Sequence, residues 1–342
     1  MTLSAPFPWF GGKSLVAEMV WQRFGDVPNY VEPFFGSGAV LLGRPHAPRI
    51  ETVNDIDALL ANFWRALQAV PDEVAEWADW PVNEADQHAR HLWLVGRKAE
   101  MAAQIQGDPE YYDAQVAGWW VWGLSVWIGG GWCAGDGPWG QDEHGELVHL
   151  GGAGQGVQRK RVHLGRGQGV QRRRVHLGDA GRGVQRRRVH LGNAGRGLVL
   201  YMRALAARLR HVRVCCGDWS RVCGPTPTVK QGLTGVFLDP PYSAEAERDM
   251  SIYTHDNTDV AHDVREWASA HGDDPKLRIA LCGYEGEHEM PASWDMVQWK
   301  ARGGYGSQGD GRGRENATRE RIWFSPHCLT PRTLLTIMDE PA

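Results

Sequence analysis

The sequence has few cysteines, and none of them has the spacing of a structural zinc site. The six cysteines of this 342-residue chain stand at positions 133, 215, 216, 223, 282 and 328, without a Cys-x-x-Cys pair. Disulfide-stabilised secreted domains carry more cysteines in a shorter chain. We therefore expect reduced thiols, with neither a disulfide framework nor a bound metal.

Segments that direct a chain to or through a membrane are also missing. The first nine residues contain no basic stretch followed by an apolar one, so no secretory signal is visible. Residues 114–135 carry no charge, but six glycines and several tryptophans lie through their middle. A lipid-facing helix places tryptophan near the membrane interfaces instead. We expect a cytoplasmic protein with no membrane partner.

The chain lacks the excess of basic residues that usually marks a protein that binds nucleic acid. It has 37 Lys and Arg against 41 Asp and Glu, a formal net charge of −4. The charges are unevenly distributed, however. Residues 151–197 hold twelve basic side chains and one acid, which leaves 25 basic and 40 acidic groups on the rest of the chain. A basic segment on an acidic body is compatible with a nucleic-acid partner.

The basic segment is an internal repeat. The sequence Val-His-Leu-Gly recurs at 148–151, 162–165, 175–178 and 189–192, and glycine-rich spacers separate the copies. The pattern gives no clean apolar face as a strand and too many glycines for a helix. It is typical of an arm that contacts phosphates, and we favour this role for at least one copy; for the extra copies, a tandem duplication tolerated in a surface loop explains the repeat equally well. One histidine per copy is weak evidence for a metal site.

Residues at about 65–198, helical and then basic, read as an insertion, and outside it the pattern predicts an α/β fold. Strands are predicted at 29–32, 50–53, 212–215, 235–238, 278–281, 294–299 and 320–324, and helices around 15–20, from 39, over 59–67, at 198–210 and at 258–270. Residues 70–135 have helical periodicity. Strands that alternate with helices indicate a mostly parallel, doubly wound sheet.

An acidic residue follows the most apolar of these strands. Residues 239–242 read Asp-Pro-Pro-Tyr. Ligands of open α/β sheets bind outside the carboxyl ends of the strands, so Asp239 is expected at a site. The alternative is an ordinary turn, because Asp begins turns and the prolines force an extended chain.

A glycine loop and a second acid provide the context. Residues 34–38 (Phe-Phe-Gly-Ser-Gly) follow a predicted strand, and Asp55 ends the next one, 19 residues past Gly36. Glycines permit close approach to a nucleoside, and an acid at about this distance can bind ribose hydroxyls. The third glycine of the dinucleotide fingerprint is missing. Residues 12–14 (Gly-Lys-Ser) are not a phosphate-binding loop, because Phe7 stands where that loop needs glycine.

Four ordered motifs resemble those of the Dam-type DNA adenine methyltransferases. They are residues 9–13 (Trp-Phe-Gly-Gly-Lys), 32–38 (Glu-Pro-Phe-Phe-Gly-Ser-Gly), 54–57 (Asn-Asp-Ile-Asp) and 239–242 (Asp-Pro-Pro-Tyr). Residues 319–326 are similar to the closing strand of that family. The resemblance covers about 1–65 and 199–328 and implies a Rossmann-like fold that binds S-adenosylmethionine.

The resemblance also implies roles for individual residues. Asp239 and the carbonyl of Pro240 would accept hydrogen bonds from the amino group of a flipped adenine, and Tyr242 would stack on that base. The residues implied to contact the cofactor are Trp9, Lys13, Phe34, Gly36, Gly38, Asp55 and Asp239. An ordinary surface lysine is the alternative for Lys13. A cytosine-carbon methyltransferase would need a thiolate nucleophile in a Pro-Cys pair, which the sequence lacks.

The insertion occupies the place of the target-recognition region of that family. Its tryptophans at helical spacing are more typical of a core than of base-stacking platforms, but Trp132 beside the glycines at 129–131 is expected in a loop near DNA. The DNA-binding candidates are therefore Trp132 and the arginines Arg159, Arg161, Arg172, Arg174, Arg186 and Arg188.

These observations predict a site-specific DNA methyltransferase that modifies the adenine amino group. Its halves would be residues 1–64, which bind the cofactor, and 199–342, which hold the active site; 65–198 form the target-recognition insertion, with the repeat at 148–197. We expect a monomer in a bacterial or virus-infected cell, with double-stranded DNA as substrate and a restriction nuclease as a possible partner. Amino methylation of cytosine, and a non-catalytic DNA-binding protein on the same scaffold, are the alternatives.

Overall fold

The computed structural model describes residues 3–7, 9, 13–127, 132–133, 139–141, 147–149, 193–241, 260–299 and 319–331. The strands in these ranges are β1 (Asn29–Glu32), β2 (Ile50–Asp55), β3 (Trp139–Gln141), β4 (Leu147–His149), β5 (Arg213–Cys216), β6 (Thr234–Leu238), β7 (Leu277–Tyr284), β8 (Asp295–Gln298) and β9 (Glu320–Phe324). The helices are α1 (Ala17–Phe24), α2 (Ala39–Leu42), α3 (Ala58–Ala69), α4 (Pro71–Ala78), α5 (Glu84–Gly107), α6 (Ala114–Val126), α7 (Asn193–Leu209), α8 (Ser220–Cys223) and α9 (Val260–His271).

Seven of these strands form one mostly parallel sheet, in the order β5-β2-β1-β6-β7-β9-β8. Strand β9 runs antiparallel to both of its neighbours, β7 and β8, and the other pairings are parallel. The chain leaves β1 toward β2 and β5 and later returns to the other side of β1 with β6 and β7. Strands β3 and β4 form a separate antiparallel pair.

Side chains of successive strand residues point to opposite faces of the sheet, and both faces are covered. On one face Val236 and Leu238 of β6 pack in a core with Val264 of α9 and Val222 of α8. On the other face Phe237 of β6 belongs to the larger core, to which α1 to α7 contribute. The predicted mixed α/β fold with a mostly parallel sheet is therefore confirmed.

The predicted elements agree closely with the structure, apart from their ends. Strands β1 and β9 have the predicted bounds, while β7 extends beyond its predicted end to Tyr284. Helix α3 begins where the side chain of Asp57 accepts hydrogen bonds from the amides of Leu59 and Leu60, an N-cap that fixes the start of the helix. The short helix α8 and the β3–β4 pair were not predicted.

The helices of the insertion form a tryptophan-rich core, as expected for Trp120 and Trp122, which are buried. The guanidinium of Arg90 lies 4.6, 4.6 and 4.5 Å from the ring centroids of Trp80, Trp119 and Trp122. Such contacts are strongest when water is excluded. Among the described residues, no helix combines the length and apolar composition needed to cross a membrane.

Candidate active site

The site lies where the order of the sheet reverses. Strand β1 stands between β2 and β6, so the loops that follow these parallel strands leave the same edge of the sheet, on opposite sides of a crevice. Open α/β sheets bind ligands at such a switch point. The glycine loop at 33–38, the turn at 55–57 and the chain at 239–241 all meet there, as the sequence predicted for the strand ends.

Lys13 and Asp239 form an ion pair at this edge. Lys13 lies in a short 3-10 helix (Lys13–Leu15), and its Nζ is 3.0 Å from Oδ1 of Asp239, which follows β6. The lysine side chain is only 7% exposed and that of the aspartate 20%. Lys13 is therefore not an ordinary surface lysine, and the side chain of Asp239 is partly exposed.

Two further residues surround the ammonium of Lys13. Glu320, the first residue of β9, places Oε2 3.9 Å from Nζ, and the ring centroid of Trp299 lies 5.4 Å away. Burial alone would lower the pKa of Lys13, but the carboxylates of Asp239 and Glu320 outweigh it and raise the pKa above the ordinary lysine value. The lysine is therefore a permanent cation beside Asp239. The sequence placed Glu320 in the closing strand but did not connect it with Lys13.

Asp55 is held by two backbone amides at the end of β2. The amide of Gly36 donates to Oδ2 at 3.1 Å and that of Asp57 to Oδ1 at 3.0 Å, so both carboxylate oxygens are fixed. Burial outweighs these hydrogen bonds and raises the pKa of Asp55 to about 7. An oriented, half-buried carboxyl group at a strand end is suited to bind the hydroxyls of a ribose.

The glycine loop passes so close to an aromatic side chain that only glycine fits at position 36. Gly36 has a φ of +48°, and a Cβ at this position would lie 2.5 Å from Nε1 of Trp9. The carbonyl of Gly36 accepts a hydrogen bond of 3.1 Å from the indole of Trp64. Trp9 is supported from behind by the rings of Phe7 and Trp120, at centroid distances of 5.6 and 6.1 Å. The N-terminal segment is thereby fixed beside the loop.

Gly38 closes the same loop with a φ of +68°, and a Cβ there would lie 2.7 Å from Cζ of Phe35. The side chain of Asn54 ties this loop to the end of β5, because its amide donates to the carbonyls of Pro33 (3.1 Å) and Gly217 (2.9 Å). Phe34 stacks on Trp219, with centroids 6.3 Å apart.

Gly217 and Trp219 were missed as site residues. The signal was available, since a glycine and the acid Asp218 follow a predicted strand in the same way as the two loops that were recognised.

The residues at this edge fit a nucleoside cofactor. Two positive-φ glycines keep the loop free of Cβ atoms, Asp55 offers an oriented carboxyl group, and Trp9 and Phe34 supply flat apolar surfaces. In the described part of the chain, no group of three or more His, Cys, Asp or Glu is arranged to hold a metal ion. All six cysteines are free thiols.

The remaining predicted site residues are Tyr242, Trp132 and the six arginines of the repeat. Tyr242 and the six arginines of the repeat lie outside the described residues. Trp132 is described and occupies the core: its side chain is buried, and its indole donates a 3.0 Å hydrogen bond to the carbonyl of Trp120. Its ring packs where Gly123 has no Cβ. The structure thus places Trp132 in the core, which spacing and neighbouring glycines did not reveal; its contact with DNA stays a prediction.

The fold and the loops define a doubly wound α/β protein, consistent with a Rossmann-like methyltransferase fold. The family model of the D12 class N6 adenine-specific DNA methyltransferases matches residues 9–90, which include Trp9, Lys13, the glycine loop and Asp55. This match supports the resemblance to DNA adenine methyltransferases found in the sequence.

A similar protein is the DNA N-6-adenine-methyltransferase of Escherichia phage P1, which is 36% identical over 62 residues. These residues are 18% of this chain, and they span only 8% of the phage protein. The description of the matching family names adenine in DNA as the target of methylation.

Proposed function

We propose that this protein transfers the methyl group of S-adenosylmethionine, in one in-line step, to the exocyclic amino group of adenine at a specific site in DNA. The observation that carries the proposal is the ion pair between Lys13 and Asp239 at the switch point of the sheet, beside the glycine loop and Asp55. These elements come from distant parts of the sequence, and they meet where a nucleoside and a base can be bound side by side.

Asp239 and Pro240 would activate the amino group. The lone pair of that nitrogen is delocalised into the adenine ring, which makes it a poor nucleophile. A carboxylate and a backbone carbonyl that accept its two N–H groups draw the nitrogen toward tetrahedral geometry and orient the lone pair. Lys13 would hold Asp239 in place, as the 3.0 Å contact indicates. The proton released on methylation passes to water.

The cofactor would lie against the loops of β1 and β2. S-adenosylmethionine, when bound, supplies a methyl group on a positively charged sulfur. We propose that Asp55 binds its ribose, that Gly36 and Gly38 let the backbone approach it, and that Trp9 and Phe34 flank it. Lys13 would stand near its methionine end. The amides of Gly36 and Asp57 support this role, because they orient the carboxyl group of Asp55 at the strand end.

The target adenine must leave the duplex to reach Asp239, since a paired base is closed off by its neighbours. Tyr242 would stack on the flipped base. The arginines of the repeat would contact phosphates, which adds affinity without reading sequence. We assign 65–198 to target recognition and 1–64 with 199–342 to one catalytic unit; the pairing of β1 with β6 supports the second part.

The variant Asp239→Ala tests this proposal. It removes the carboxylate that the reaction needs but leaves the DNA-binding surface unchanged, so methylation should fall below detection while DNA affinity stays within about threefold. The matched control is Asp295→Ala, an acid of β8 whose partner is Arg23. Methylation by Asp239→Ala at the unmodified rate would contradict the mechanism.

The modified base is identified by expressing the protein in a methylation-free bacterial host and mapping modified bases by long-read sequencing. N6-methyladenine within one motif is the expected result. Methylation of the cytosine amino group would favour the first alternative. DNA binding without any modified base would favour a non-catalytic protein on the same scaffold.

A further inference from the structure

Lys98 of helix α5 joins two segments that the proposed function assigns to different tasks. Its Nζ donates a 2.9 Å hydrogen bond to the carbonyl of Cys133 and lies 3.6 Å from Oδ2 of Asp57. The side chains of Lys98 and Asp57 are each 17% exposed, so solvent screens this ion pair only partly. One ammonium thus contacts both the cofactor-binding edge of the sheet and the insertion.

On the cofactor side, Asp57 connects Lys98 to Asp55. One oxygen of Asp57 caps α3, and the other faces Lys98. The backbone amide of Asp57 donates to Oδ1 of Asp55, whose other oxygen is held by Gly36. A displacement of Asp57 therefore changes the orientation of the carboxyl group that is proposed to bind ribose.

On the insertion side, Lys98 holds a strained turn. Among the described residues, Cys133 is the one non-glycine with a positive φ, +57°. This conformation costs about 1–2 kcal/mol for an L-residue and persists only where neighbouring contacts enforce it. The contacts are the Lys98 hydrogen bond, a 3.3 Å hydrogen bond from the amide of Cys133 to Nδ1 of His91, and the buried ring of Trp132.

The ring of His91 is suited to this acceptor role. Burial, assisted by the nearby cations, lowers the pKa of His91 to about 4, so the ring is neutral at pH 7. It stacks on Trp127 with centroids 5.0 Å apart and an interplanar angle of 14°. The turn is therefore fixed from three directions, and Lys98 provides the contact that continues to the cofactor site.

We propose that Lys98 is a positioning residue that couples the cofactor-binding loop at 55–57 to the turn at 132–133 of the target-recognition insertion. This inference rests on the proposed function. Cofactor bound on Asp55 stabilises Asp57, Lys98 and the Cys133 turn as one unit, from which the chain continues toward the basic repeat. Occupancy of the cofactor pocket thus holds the base of the insertion in one arrangement.

The coupling is measured through the thiol of Cys133, without any turnover. Cys133 is 1% exposed, so an alkylating reagent reaches it only when the turn opens locally. Alkylation rates at each cysteine are read by peptide mass spectrometry, with and without S-adenosylhomocysteine. If opening the turn also releases the ligand, a concentration of about 100 times Kd slows alkylation by up to about 100-fold.

The central variant is Lys98→Met, which keeps the length of the side chain and removes the charge. In this variant, we expect S-adenosylhomocysteine to slow the alkylation of Cys133 by less than about threefold. Alkylation of Cys223 should still be slowed. This residue is buried in the core of the opposite sheet face, and its exposure requires unfolding of that core. Arg97→Met is the matched control: it removes the neighbouring cation of α5, which faces Asp113, and should retain the full protection of Cys133.

Two other variants keep the test decisive if Lys98→Met does not fold. Asp57→Asn preserves an N-cap acceptor but removes the charge that faces Lys98, and should reproduce the loss of protection. Lys98→Arg keeps the cation and should restore most of it. Protection of Cys133 by the same factor in the unmodified protein, Lys98→Met and Asp57→Asn would overturn the coupling.

The proposed function and the coupling can fail separately. Calorimetry that detects no binding of S-adenosylhomocysteine to the unmodified protein would reject the proposed function, and with it the coupling. Binding and methylation, together with an unprotected Cys133 in the unmodified protein, would reject the coupling alone.

Discussion

Lys13 and Asp239 make their 3.0 Å ion pair across the reversal point of the sheet, although they are far apart in the sequence. The lysine is buried, and Glu320 and Trp299 enclose its other sides. A buried cation is tolerated only when its charge is compensated, so this contact stabilises the fold.

Replacing Lys13 by Met should lower the free energy of unfolding by about 3 kcal/mol, because two partly buried carboxylates lose their cation. The raised pKa of Lys13 fixes the pH dependence. Its stabilisation is fully present below the pKa of lysine in the unfolded chain and is lost only as pH rises through the higher folded pKa. The free energy of unfolding that Lys13→Met loses, measured by urea unfolding, should therefore be the same at pH 6 and pH 9.

A double-mutant cycle separates this pair from general disruption. Adding Asp239→Asn to Lys13→Met should recover at least about 1 kcal/mol relative to the sum of the single variants, because the unpaired charge is removed. Additive losses would show that the two side chains do not stabilise each other.

Asp55 should make cofactor affinity depend on pH near neutrality. Its carboxyl group has a pKa of about 7, and only the ionised form can accept hydrogen bonds from both ribose hydroxyls. The affinity for S-adenosylhomocysteine, measured by calorimetry, should rise up to about tenfold per pH unit below 7 and level off above it. Asp55→Asn should bind at least about tenfold more weakly at pH 8, with no such dependence.

The raised pKa of Asp55 also affects the stability of the fold, in the opposite direction to its effect on cofactor affinity. Because the folded pKa of Asp55 exceeds the unfolded one, the folded chain binds the extra proton between about pH 4 and 7. The free energy of unfolding should therefore fall as pH rises through this window, and it should fall less in Asp55→Asn. Identical pH profiles for the two proteins would contradict the raised pKa.

The sequence was sufficient to predict the strands and the loops that follow them because both depend on local pattern. Apolar runs that end in Gly36, Asp55 and Asp239 identified three loops, and the parallel sheet brings such loops together. The contacts of Lys13 with Glu320 and Trp299 could not be predicted, since they depend on how β9 inserts antiparallel to β7. The core position of Trp132 depends on Gly123 in the same way.

Gly36→Ala should disrupt the cofactor pocket. A Cβ at a φ of +48° is strained, and it would lie 2.5 Å from the indole nitrogen of Trp9. We expect a loss of about 1–3 kcal/mol in unfolding free energy and weaker binding of S-adenosylhomocysteine. Gly96→Ala is the control: nothing lies within 4 Å of its Cβ, so this change in α5 should stabilise the protein by about 0.5–1 kcal/mol. Unchanged cofactor affinity in Gly36→Ala would place the cofactor away from this loop.

Trp132→Phe distinguishes a core residue from a DNA contact. The variant loses the hydrogen bond to the carbonyl of Trp120 and part of the buried ring, so thermal unfolding should report a loss of about 1–2 kcal/mol. DNA affinity, measured by fluorescence anisotropy with a labelled duplex, should stay within about twofold. A stable variant with weakened DNA binding would return Trp132 to the recognition surface.

Deleting residues 152–191 tests whether the basic repeat binds phosphates. The deletion removes eleven of the twelve basic residues counted in 151–197, all except Arg196. Each phosphate contact adds about 0.9 to the slope of log affinity against log salt concentration, so loss of even three contacts lowers the slope by about 2.7. The methylated motif should not change, since phosphate contacts carry no sequence information. A second variant replaces all eleven basic residues by Gln and keeps the length and spacing of the segment. An unchanged slope in both variants would support a tandem duplication without a role in DNA binding.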